Sequence, residues 1–113
     1  MNQFAEEQWQ PVAELYDIAQ GGITTFEIAG QTLLFSRQGK QVHCFANLCT
    51  HLDRPLDMGN VRNGIIVCPF HGYEFDLETG DCLNAFSKPL KSYPVRVVDG
   101  LVQVCVVTEK VES

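Results

Sequence analysis

The chain has 113 residues, room for one domain and little more, and 45% of them are hydrophobic, so a real core is expected in a domain small enough to profit from a metal centre. Eight Lys and Arg against fourteen Asp and Glu give a formal charge of −6, which argues against nucleic acid and anionic membrane as partners and favours docking on a basic or mixed protein surface. Five scattered cysteines make no disulfide framework, the first residues lack the basic and apolar regions of a signal peptide, and no apolar run nears the roughly 18 residues of a membrane span, so a cytoplasmic protein with reduced thiols is expected.

In chain order, Val12, Leu15, Tyr16 and Ala19 have helical spacing and predict one helical turn between Pro11 and Ala19. Beyond it the pattern is β. Thr24–Ala29 and Thr32–Phe35 flank Gly30-Gln31, a predicted tight turn, and Gln38-Gly39-Lys40 is a second. In the strand 42–47, Val42, Cys44 and Ala46 share one face and His43, Phe45 and Asn47 the other. Asn63-Gly64 is a turn dipeptide before Ile65–Val67, and Thr79-Gly80 follows the strand Tyr73–Leu77. Pro94–Val98 and Leu101–Val106, joined by Asp99-Gly100, form the clearest hairpin. Many short strands at close spacing predict an all-β fold, an antiparallel β-sandwich or partly open barrel.

Four residues carry the chemistry. Cys49-Thr50-His51 is followed, sixteen residues on, by Cys68-Pro69-Phe70-His71. Each short loop offers one thiolate and one imidazole, and two sulfur with two nitrogen ligands suit either one zinc ion or a mixed-ligand iron–sulfur cluster. Zinc sites usually pair two thiols or two imidazoles within a loop. One ligand of each type per loop favours a two-iron cluster with both Cys on one iron and both His on the other. Each pair follows a short strand, and if those two strands lay side by side their ends would bring all four ligands to one point.

With Gly72, Phe75-Asp76 and Thr79-Gly80, these residues resemble the signature of Rieske proteins. More narrowly, the chain resembles the short Rieske-type ferredoxins of bacterial oxygenase systems, over nearly its whole length. The resemblance implies one 2Fe-2S cluster, with Cys49 and Cys68 on the buried iron and His51 and His71 on the outer one. It implies a single Rieske domain over residues 1–113, with a small cluster-binding β subdomain at roughly 47–86. It implies a one-electron carrier rather than an enzyme, taking electrons from a flavoprotein reductase and passing them to a terminal, ring-hydroxylating oxygenase. Three alternatives remain: the small Rieske-like subunit of an assimilatory nitrite reductase, a structural zinc module for protein interaction, and a regulator with a redox-sensing cluster. Mitochondrial and photosynthetic Rieske proteins cross-link their cluster loops with an extra pair of cysteines and offer a Ser hydroxyl after His-Gly. Here residues 52–54 hold no thiol, Phe70 takes the other position, and Tyr73 follows Gly72. Fewer donors to the cluster sulfurs imply a potential near the low end of the Rieske range, about −150 mV. The family's third loop usually carries a proline beside the cluster; the stretch here reads Asn84-Ala85-Phe86-Ser87-Lys88-Pro89.

The remaining candidates have plainer readings. His43 is expected at a strand surface, Cys44 and Cys105 as core thiols and Cys82 nearer the surface. Trp9, Phe70 and Tyr73 are expected to pack. Asp76 is placed to fix the turn before Thr79-Gly80. Ser87 and Ser92 have no matched base and acid, and no phosphate-binding glycine loop is present.

Overall fold

The computed structural model describes residues 8–49, 55–70 and 72–106. Among the described residues, nine strands form where apolar and β-branched residues run between turns: β1 (Trp9–Glu14), β2 (Thr24–Ile28), β3 (Gln31–Gln38), β4 (Gln41–Ala46), β5 (Asn60–Arg62), β6 (Ile65–Val67), β7 (Glu74–Asp76), β8 (Val95–Val98) and β9 (Leu101–Cys105). They make three antiparallel sheets, ordered β1-β9-β8, β2-β3-β4 and β5-β6-β7. Residues 91–93 run along the outer edge of β4, with the Ala46 amide donating to the Lys91 carbonyl at 2.9 Å and the Tyr93 amide to the Cys44 carbonyl at 3.0 Å. The chain then enters β8, so the first two sheets join into the partly open barrel that the strand pattern predicts. Among the described residues no helix is long and apolar enough to cross a membrane.

Three hairpins close on two-residue loops whose residues both have positive φ: Ala29-Gly30 (52° and 79°), Asn63-Gly64 (53° and 76°) and Asp99-Gly100 (53° and 80°). Such left-handed pairs match the twist of the strands they join and favour glycine second. That preference moves the first turn one residue ahead of the expected Gly30-Gln31, so that Ile28 pairs with Gln31. The helical turn expected over Pro11–Ala19 shrinks to a 3-10 turn at Leu15–Asp17, because residues up to Glu14 pair with β9 instead. Pro11 is tolerated in that strand because the register shifts between Pro11 and Ala13, a bulge where no ladder amide is required. Neither β1 nor β5 was legible from side-chain alternation.

Strand β3 is the central wall. Leu33 and Phe35 face the barrel core with Leu15, Ile18, Cys44, Val102 and Val104. Leu34 faces a second apolar cluster with Phe45, Leu56, Ile66, Phe75, Leu77 and Leu90, between the β2-β3-β4 sheet and the β5-β6-β7 sheet. Strands β4 and β6 therefore belong to different sheets. The expected side-by-side placement of these strands is wrong, and their ends approach through packing across this second cluster.

Arg37 closes the end of β3. Its Nε donates to the Ile18 carbonyl at 2.7 Å, its Nη1 donates to the Gly39 carbonyl at 2.9 Å and to Gln20 Oε1 at 3.3 Å, and the guanidinium lies 4.9 Å from the Tyr16 ring centre. The side chain is buried, so truncation strands the acceptors it satisfies. Arg37→Ala is expected to lower unfolding stability by about 2–4 kcal/mol, and Arg37→Lys to recover only part, because a single ammonium cannot span the same fork. Chemical denaturation of both variants checks this; equal stability of Arg37→Lys and the parent would contradict the fork's role.

Candidate metal centre

The two described members of the four-residue constellation, Cys49 and Cys68, are fully buried and belong to the same apolar cluster between the two sheets. His51 and His71 lie outside the described residues. Cys49 sits three residues past the end of β4 and Cys68 one residue past β6, so each thiol is placed by the end of a strand rather than within one. Among the described residues no group of three or more His, Cys, Asp and Glu side chains converges as a metal site.

The backbone around each thiol is pinned. In the first loop, the Asn47 Oδ1 accepts the Leu56 amide at 2.9 Å, tying together the two sides of the segment that carries Cys49. The Asn47 amide in turn donates to the Thr32 carbonyl at 3.2 Å, anchoring that tie to β3. In the second loop, the Cys68 amide donates to the Tyr73 carbonyl at 2.8 Å and the Gly72 amide to the Cys68 carbonyl at 3.0 Å. This closed loop needs a left-handed residue, and Gly72 supplies it at φ 71°. Gly59 packs flat on the end of β6: a Cβ there would lie 2.0 Å from the Val67 carbonyl oxygen, next to Cys68.

The cysteines divide by environment. Cys44 and Cys105 are buried, as expected of core thiols. Burial pushes the Cys44 thiol well above the usual range and raises that of Cys105, where the Arg96 charge opposes it, which favours the protonated, unreactive form. Cys82 is partly buried and packs at the margin of the second cluster. A buried apolar setting with two thiols on separate pinned loops is what thiolate ligands of a metal group require, since ligation removes the cost of burying the anion. Cys49 and Cys68 fit that role.

The structure also answers the other expectations. Asp76 does fix its turn, its Oδ1 accepting the Glu78 amide at 2.8 Å. Trp9 packs beneath Arg96, whose guanidinium lies 4.4 Å from the ring centre, and Tyr73 packs against the second cluster. Phe70, expected to pack, is exposed, as are Leu48 before Cys49, and Leu83 and Phe86 in the loop after β7. No sequence pattern singled out Leu48, Leu83 or Phe86, because lone apolar residues in loops carry no periodicity. His43 is partly buried rather than a plain surface residue. It stands opposite Ser36, whose buried Oγ finds no hydrogen-bond partner among the described residues.

Residues 8–94 match the Rieske [2Fe-2S] domain family, and the chain belongs to it. Family membership assigns one 2Fe-2S cluster of the Rieske type. The chain is 30% identical over 92 residues to the ferredoxin component of a naphthalene 1,2-dioxygenase system from Pseudomonas aeruginosa, covering 80% of this chain and 88% of that protein. It is 32% identical over 100 residues to chlorophyllide a oxygenase of Arabidopsis thaliana, covering 83% of this chain but spanning only 18% of the length of that oxygenase. A solved complex of reduced oxygenase and oxidized ferredoxin in carbazole 1,9a-dioxygenase contains a chain that superposes with a TM-score of 0.79 at 30% identity, covering 88% of this chain and 94% of that one.

Two outcomes follow from this geometry. Gly59→Ala is expected to cost about 1–3 kcal/mol through a main-chain clash that no rotamer relieves, and to reduce the iron bound per purified chain; unchanged stability and iron content would contradict the packing described. At His43, burial holds the imidazole below its ordinary pKa of 6.5, against the opposing charges of Glu78 and Asp76. The unfolded chain therefore takes up that proton first as the pH falls below about 6.5, and stability declines until the folded-state imidazole also titrates. His43→Gln should lose less stability than the parent between pH 7 and 5.5 in denaturant titrations; parallel losses would show that His43 does not contribute.

Proposed function

We propose that this protein is a one-electron carrier, not itself an enzyme, which accepts an electron from a flavoprotein reductase and delivers it to a terminal, ring-hydroxylating oxygenase. The observation that carries the reading is the burial of Cys49 and Cys68, from two separately pinned loops, in one apolar cluster. Cys49, His51, Cys68 and His71 would hold the 2Fe-2S cluster, with the two thiolates on one iron and the two imidazoles on the other. When bound, the cluster supplies a one-electron redox centre of adjustable potential. The chain is proposed to act as a single domain over 1–113, with the cluster-binding insert at roughly 47–86.

The side chains supply the rest. The apolar cluster of Leu34, Phe45, Leu56, Ile66 and Phe75 keeps water away from the thiol side. Exposed Leu48 and Phe70 border the two ligand loops and, with Leu83 and Phe86 of the neighbouring loop, offer apolar contact area to a partner. The formal charge of −6 favours encounter with a basic partner patch. The likeness to a dioxygenase ferredoxin component supports the carrier role, and the oxygenase–ferredoxin complex supports a terminal oxygenase as the electron's destination.

The test is a reconstituted chain: a ferredoxin reductase, this protein and a ring-hydroxylating oxygenase, with product formation followed as this protein is titrated in. Product formation that requires this protein and slows as salt is raised is expected; turnover without it, or no electron uptake from any flavoprotein reductase, would overturn the role. The potential should lie near the low end of the Rieske range, about −150 mV, and a value well above zero would contradict it. His71→Cys should retain iron and lower the potential further, because a thiolate adds negative charge; an unchanged potential would remove His71 from the ligand set.

A further inference from the structure

Beyond the end of β7, residues 81–84 fold back along its outer edge. The Asp76 amide donates to the Asp81 carbonyl at 2.9 Å, Phe75 bridges to Cys82, and the Leu83 amide donates to the Glu74 carbonyl at 2.7 Å. One residue further the side chain of Asn84 takes over. Its Oδ1 accepts the Glu74 amide at 3.0 Å and its Nδ2 donates to the Gly72 carbonyl at 3.0 Å. We infer that Asn84 is a positioning residue for the second ligand loop, its side-chain amide replacing a strand partner where the main-chain ladder ends.

The geometry is that of a peptide mimic. Gly72 and Glu74 flank Tyr73, so in an extended chain the Gly72 carbonyl and the Glu74 amide point to one edge and the Tyr73 carbonyl to the other. The Tyr73 carbonyl accepts the Cys68 amide at 2.8 Å on the inner edge, and Asn84 holds the outer edge. The amide's orientation is dictated by its partners: rotated by half a turn it would set oxygen against the Gly72 carbonyl and NH2 against the Glu74 amide. The Cys82 thiol donates to the same Oδ1 at 3.7 Å, a further tie on the rotamer.

Three facts make this a positioning role rather than general support. Asn84 is exposed and belongs to neither apolar cluster, so its loss leaves both cores packed. The residue it grips, Gly72, is held left-handed at φ 71° and directly follows His71. The grip also links the loop bearing exposed Phe86 to the loop bearing Phe70. Neither neighbouring side chain type substitutes: aspartate lacks the donor and repels the Gly72 carbonyl, and alanine lacks both groups. The inference rests on reading residues 68–71 as a ligand loop, whose C-terminal end at Gly72 Asn84 holds in place.

The experiment compares the iron-loaded parent with Asn84→Ala and Asn84→Asp by three readouts: hydrogen exchange in residues 72–76, the paramagnetic resonance line shape after reduction, and the midpoint potential. In Asn84→Ala, exchange at the Glu74 amide should rise about fivefold or more, with a broadened resonance, a shifted potential and a thermal midpoint close to that of the parent. Asn84→Asp, which keeps the acceptor for Glu74, should protect that amide better yet still broaden the resonance. Unchanged exchange in both variants would overturn the clamp, and raised exchange with parental line shape and potential would overturn the positioning role. A parent protein without iron would overturn the proposed function and the positioning role with it, while the exchange difference would still report the two hydrogen bonds.

Discussion

Two thiols have to be held buried, on two separate stretches of chain, at one place. That requirement organises the molecule. An apolar pocket is the worst place for an unpaired thiolate and a good one for a thiolate bound to metal, so the pocket must be built by elements that do not depend on the ligand loops for their own stability. The barrel meets this need. Its core is closed by Leu33, Phe35, Cys44, Val102 and Val104, and the reverse face of the same β3-β4 pair, through Leu34 and Phe45, becomes the floor of the second cluster. A strand buried on both faces is costly in sequence, and β3 is accordingly apolar or buried from Leu33 through Arg37.

Upon that floor, the small β5-β6-β7 sheet needs little independent stability. Its strands are three residues each, too short to stand alone, and Ile66, Phe75 and Leu77 bury against the barrel. Glycines allow the close approaches. Gly59 lies flat on the Val67 carbonyl, and at Gly80, with φ 83°, a Cβ would lie 3.0 Å from the Leu90 carbonyl oxygen and 3.4 Å from the Phe45 ring. Side-chain amides then close the loops that such short strands leave open, Asn47 for the first and Asn84 for the second. In place of a covalent staple between the loops, the chain uses hydrogen bonds and a shared apolar cluster.

Much of this was legible in the sequence, for physical reasons that differ by element. Asn63-Gly64 and Asp99-Gly100 announce themselves because few residues accept two left-handed positions, whereas Ala29-Gly30 hid behind an alanine that rarely takes one. Over Pro11–Ala19, Val12, Leu15, Tyr16 and Ala19 satisfy a 3.6-residue period, and only the pairing of residues up to Glu14 with β9 decides against a helix there. The mixed Cys and His spacing marks the two proposed ligand loops from local sequence alone. The side-by-side placement of β4 and β6 fails, since nothing local states that they belong to different sheets, yet their ends still bring Cys49 and Cys68 into one cluster. Asn84 was invisible as a clamp because one polar side chain in a loop carries no pattern; its meaning comes entirely from the two backbone groups it meets.

The central claim is that two thiols and two imidazoles, one of each per loop, share a two-iron cluster on this floor. The most direct measurement is the electron paramagnetic resonance spectrum of the dithionite-reduced protein. A rhombic signal is expected, with an average g lowered below that of an all-thiolate two-iron cluster, as nitrogen ligation of one iron requires. A folded, colourless protein that gives no signal and carries one zinc ion, or a signal with the average g of four thiolate ligands, would contradict it.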